Sequence, residues 1–94
     1  MLNTNALHLR IWVSGTVQGV WFRKSTVEAA QRLHISGTVE NLPDGRVLIE
    51  AEGIRADLDA LIAWCWKGPP KAEVNSVRTE AGLIKGFTGF AIRH

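Results

Sequence analysis

The chain has 94 residues, 46% hydrophobic and 21% charged, with a formal net charge of +2. That composition excludes a disordered chain and predicts a single domain over 1–94, with its core over about 7–93. So small a positive excess, spread along the sequence, gives nucleic acid no basic patch, and no apolar run is long enough for a signal peptide or a membrane span.

Leu7, Leu9, Ile11 and Val13 alternate with His8, Arg10, Trp12 and Ser14, the period of two that marks a half-buried strand. A glycine-bearing loop follows, from Gly15 to Trp21. Phe22, Thr26, Ala29, Ala30 and Leu33 then recur at helical spacing and predict a helix over 23–34. Residues 35–41 read as a second strand, ending in the turn Leu42-Pro43-Asp44-Gly45, where Pro presets φ and Gly accepts a positive one. Residues 46–52 alternate again and close a hairpin, with Val47, Ile49 and Ala51 inward and Glu50 and Glu52 outward in solvent.

Ile54, Leu58, Leu61, Ile62 and Cys65 form the apolar stripe of a second helix, stopped by Gly68-Pro69-Pro70. Trp64 and Trp66 in that helix cannot both face a core. Strands over 74–80 and 87–93 finish the chain. The order βαββαβ plus a terminal strand predicts an α+β, ferredoxin-like sandwich, its mostly antiparallel sheet covered on one face by both helices. Cys65 lies on a core stripe, and a lone cysteine with no disulfide partner predicts a cytoplasmic protein.

The loop carries the chemistry. Glycines at 15 and 19 let several backbone N–H groups turn toward one point, and the helix that follows adds unpaired donors and the positive end of its dipole. Arg23, in the first helical turn, supplies a permanent cation with a planar fork of donors. Together they describe a cradle for a small oxyanion such as phosphate. His8, His34 and His94 are dispersed, without ligand spacing, so neither a metal nor a cofactor is expected.

Gly15-x-Val17-Gln18-Gly19-Val20-x-Phe22-Arg23, followed by Gly37-x-Val39-x-Asn41-x-x-Asp44-Gly45-x-Val47, resembles the acylphosphatase family. Gly53, Gly68-Pro69-Pro70-x-Ala72-x-Val74-x-x-Val77 and Phe90-x-Ile92 match the same pattern in order, so the likeness runs from about His8 to Ile92. The resemblance implies a ferredoxin-like fold and hydrolysis of acyl phosphates to a carboxylate and inorganic phosphate. It implies that Arg23 and Asn41 are the catalytic side chains. Water would attack phosphorus in line, without a phosphoenzyme or a metal.

The residues fit that chemistry. A phosphoryl group needs positioning and charge neutralisation, which Arg23 and the amides of Gln18, Gly19, Val20, Trp21 and Phe22 can supply. The Asn41 amide can hold a water, although it cannot act as a base. The loop offers no Cys, His or Asp as a nucleophile. In a strand Asn41 shares the face of Val39, while Glu40 points away from the bound anion.

The expected partner is therefore a small acyl phosphate, with inorganic phosphate as product and competitive inhibitor, acting on a monomer. Nucleic acid is not expected, because the strand signature of RNA-recognition domains is missing. A standalone hydrolase is the expectation over an acylphosphatase-like domain of a larger carbamoyl-transfer enzyme. The sequence departs from the family at His34, where a helix-ending glycine is usual; a left-handed cap at that position would put about 1 kcal/mol of strain on the histidine.

Overall fold

A computed structural model describes residues 5–94. Its elements are β1 (Leu7–Thr16), α1 (Phe22–Arg32), β2 (Ser36–Asn41), β3 (Val47–Gly53), α2 (Arg55–Lys67), β4 (Glu73–Gly82) and β5 (Phe90–Ile92). The strands form one sheet in the order β4-β1-β3-β2-β5. β1 lies antiparallel to β3 and β4, and β2 antiparallel to β3, whereas β5 runs parallel to β2. This is the ferredoxin-like α+β fold, with a mixed sheet.

The period-two pattern builds the core. Ile11, Val13, Val39, Val47, Ile49 and Ala51 are fully buried on one face of the sheet. The helices cover them with Phe22, Ala29 and Ala30 from α1 and with Leu58, Leu61 and Cys65 from α2. Burying each of the larger of these side chains contributes roughly 1.5–3 kcal/mol. Burial pushes the Cys65 thiol up to about 12, so it serves the core as a small hydrophobe. Trp64 turns inward against Phe22, with ring centroids 5.4 Å apart, and Trp66 is left exposed.

α1 spans Phe22–Arg32 rather than 23–34, because its C-terminus closes early. Ile35 N–H donates to Ala30 O at 2.9 Å and His34 N–H to Gln31 O at 3.2 Å, a Schellman ending with His34 at φ 57°. His34 thus takes the left-handed cap position that glycine usually fills. The last strand is also shorter than the expected 87–93, for a reason found on the other face of the sheet.

There the outward reading of Glu50 and Glu52 is overturned: both are buried, together with His8. β4 and β5 occupy opposite edges of the sheet, so the residues joining them must cross it. This crossing chain lies over the face that the helices leave open. Glu52 accepts the backbone N–H groups of Lys85, Gly86 and Phe87 at 2.6, 3.1 and 3.0 Å. Lys85 Nζ donates to Glu50 at 2.8 Å, and the ring of Phe87 stacks on that of His8. His8 presents Nδ1 to Glu52 at 2.7 Å and Nε2 to Glu50 at 3.2 Å. Phe87 is thereby committed to the crossing segment, and β5 begins at Phe90.

Candidate active site

The loop between β1 and α1 is shaped by backbone that few residues tolerate. Gly15 has φ 129°, and a Cβ there would collide with the carbonyl oxygen of Glu73 where the β1–β4 register shifts. Only glycine fits at that point. Gly19 follows at φ 75° and Trp21 at φ 66°, the latter a left-handed residue that caps α1 without a side-chain hydrogen bond. Among the described residues, none of the N–H groups of residues 18–22 has a hydrogen-bond acceptor. An unpaired run of donors at a helix start is an anion cradle in waiting.

A cleft of about 490 Å³ opens at this loop. Gly19, Trp21, Phe22, Arg23 and Lys24 line one side of it, and Asn41 comes from the end of β2. Ile92 of β5 closes the cleft beside Asn41, made possible by the parallel pairing of β5 with β2. No Asp or Glu lines it. The Arg23 guanidinium has no ion pair or hydrogen bond among the described residues, so its fork of donors is free to take an anion. Asn41 Oδ1 is buried yet lacks a partner. A buried acceptor left open at a cleft that also holds the Arg23 guanidinium is a place to hold a water. Glu40 turns to the opposite face, where its carboxylate lies 3.6 Å from Arg93.

The expected binding residues differ in whether their side chains reach the cleft. Gln18 does not line the cleft. Its side chain donates from Nε2 to Leu42 O at 2.8 Å and to Arg46 O at 2.9 Å, tying the loop to the β2–β3 hairpin. Val20 packs its side chain toward the core and also stays out of the cleft. These two can offer only their N–H groups. Phe22 is the buried anchor of the helix start, and Trp21, by contrast, is 73% exposed.

The hairpin that holds Asn41 is itself braced. Leu42 N–H donates to Arg46 O, Gly45 N–H to Leu42 O, and Arg46 N–H to Asp44 Oδ1. That backbone donor, with the Arg46 guanidinium, holds the Asp44 carboxyl below its ordinary value. Sequence reasoning overlooked Lys24 and Ile92. Lys24 follows Arg23 directly at the exposed start of a helix, and that adjacency was its only signal. Trp12 belongs to the opposite face, between the guanidinium groups of Arg10 and Arg78 at 5.9 and 5.3 Å, and takes no part in the cleft.

Comparison with known proteins decides the family. The acylphosphatase profile matches residues 9–92, nearly the whole chain. The chain belongs to the acylphosphatase family. It is 48% identical to an acylphosphatase of Gloeobacter violaceus over 87 residues, covering 93% of this chain and 94% of that protein. An acylphosphatase of Anaeromyxobacter sp. is 51% identical over 85 residues, covering 89% of this chain and 91% of the relative. The solved structure of an acylphosphatase from Coxiella burnetii superposes with a TM-score of 0.91 at 38% identity, over 95% of this chain and 94% of that one. The protein is thus an acylphosphatase, and no helix among its described residues is long and apolar enough to cross a membrane.

Proposed function

We propose that this acylphosphatase binds the phosphoryl group through Arg23 and the amides of residues 18–22, and that Asn41 holds the attacking water. The observation that carries the proposal is a complementary pair of unmet needs in one cleft. Arg23 presents an uncompensated cation beside unpaired N–H donors, while Asn41 presents a buried acceptor without a donor. A phosphoryl dianion satisfies the first and a water molecule the second.

With the phosphoryl oxygens on the guanidinium and the loop amides, charge spread over them in the transition state is neutralised by groups already in place. The water donates a hydrogen bond to Asn41 Oδ1 and keeps a lone pair for phosphorus. Its attack breaks the bond between phosphorus and the bridging oxygen, and the bonding pair leaves with the carboxylate. The water's protons pass to phosphate and solvent, so the reaction needs neither a strong base nor a phosphoenzyme. Inorganic phosphate, filling the same cradle, is both product and competitive inhibitor. In this reading the enzyme acts without a metal, as a cytoplasmic monomer, and its buried Cys65 thiol is compatible with a reducing compartment.

Hydrolysis of benzoyl phosphate by wild type and Arg23→Ala, side by side in EDTA, tests the proposal. Turnover that ignores the chelator and falls by more than about a hundredfold in the variant is expected, a loss of about 3 kcal/mol or more of transition-state stabilisation. Equal turnover by the two proteins would overturn it.

A further inference from the structure

Phosphoryl binding and water positioning give no work to two exposed side chains of the cleft, those of Trp21 and Lys24. Both line it, and Lys24 Nζ lies 5.7 Å from the centre of the Trp21 ring. Trp21 is 73% exposed and stands in left-handed backbone, an expensive place for a large aromatic side chain that gains little burial there. Its ring offers a face on which an ammonium group can rest. No carboxylate among the described residues lies within 4.0 Å of Lys24, and no acidic residue lines the cleft. The site therefore holds a second cation without a protein counter-ion, kept at the cleft by an aromatic ring.

For in-line attack the leaving carboxylate must lie opposite the water on Asn41, so the acyl part of the substrate extends away from β2. Resting on the proposed phosphoryl-binding role of Arg23, we infer that Trp21 and Lys24 select acyl phosphates that carry a second anionic group on the acyl part. Lys24 binds that anion, and Trp21 is the positioning residue that holds the ammonium and flanks the acyl chain. A neutral acyl group meets only the ring and leaves the ammonium unpaired. Because the pair is partly exposed, the expected preference is modest, about fivefold in kcat/KM at low ionic strength, and it shrinks with salt.

Two matched pairs of substrates test the inference, each differing only in the distal group: fumaroyl against crotonoyl phosphate, and 4-carboxybenzoyl against 4-methylbenzoyl phosphate. Neither carboxylate can reach back to its own acyl phosphate, so no cyclisation interferes. The expected result is a higher kcat/KM for the anionic member in at least one pair, lost in Lys24→Met and reduced in Trp21→Leu. Lys67→Met, which removes the same charge at the end of α2, outside this cleft, is expected to retain the preference. Equal kcat/KM within both pairs would overturn the inference while leaving the hydrolase reading intact. So would a preference that survives Lys24→Met, or one that Lys67→Met abolishes equally. No turnover of any of the four substrates by folded wild type would overturn the hydrolase reading and this inference together.

Discussion

Gln18 and Leu42 are joined by a hydrogen bond of 2.8 Å from the side-chain amide of one to the backbone carbonyl of the other. The bond spans the two halves of the site, since Gln18 opens the amide-bearing loop and Leu42 directly follows Asn41. A second bond from the same amide to Arg46 O, at 2.9 Å, makes Gln18 a staple between loop and hairpin. Gln18→Ala removes both bonds. Each carbonyl keeps its hairpin donor, so the expected stability loss is about 1–2 kcal/mol. The larger effect falls on kcat, because the water on Asn41 and the cradle lose their common frame. Urea denaturation and steady-state kinetics on the same variant check both parts, and an unchanged kcat would show that the staple serves folding alone.

His34 ends α1 in left-handed backbone at φ 57°, where a side chain with Cβ costs about 1 kcal/mol relative to glycine. His34→Gly relieves that strain, offset in part by the greater freedom of glycine in the unfolded chain. The expected change is neutral to about 1 kcal/mol stabilising, read as an unchanged or higher midpoint of denaturation. A large loss of stability would contradict the cap geometry.

Glu50 and Glu52 tie the crossing segment to the open face of the sheet, and their ionisation makes that tie sensitive to acid. Burial pushes both carboxyls up, but the opposing contacts win and hold each below the ordinary 4.5. For Glu50 these are the Lys85 ammonium and His8; for Glu52, the backbone N–H groups of Lys85 and Phe87 together with His8. A depressed folded value means that the stabilisation is fully present above the unfolded value and is lost as pH falls through the lower, folded one. Unfolding free energy should therefore fall with pH below about 4.5. Glu52→Gln leaves one oxygen to accept backbone N–H groups, sets amide hydrogens against the donors that faced the other, and should cost about 1–3 kcal/mol at pH 7, with a weaker dependence on acid. Urea denaturation between about pH 3 and pH 7 checks both effects. Parallel curves for wild type and variant would remove Glu52 from the account.

Local pattern made much of this legible in the sequence, and long-range topology hid the rest. Alternation in β1 and β3 and the stripes of α1 and α2 reported which face meets the core. The strand period also placed Asn41 on the face of Val39, toward Arg23. The same period misread Glu50 and Glu52, because an outward-facing position says nothing about what chain later crosses above it. The cover comes from residues 85–87, more than thirty positions away. The parallel pairing that brings Ile92 to the cleft is equally non-local. Gln18 was readable as a loop residue, but its acceptors lie in a hairpin that only the folded sheet brings near.

Arg23 and Asn41 divide the work of the site between anion and water, and Asn41→Ala separates the two roles. Asn41 Oδ1 has no protein partner to strand, so the truncation should leave the fold unchanged. The measurement is kcat toward benzoyl phosphate together with the inhibition constant for inorganic phosphate. The expected result is a fall in kcat of about a hundredfold or more, with phosphate inhibition within about threefold of wild type. A rise in the phosphate inhibition constant that parallels the loss of kcat would assign Asn41 to the anion cradle and contradict its role as the holder of water.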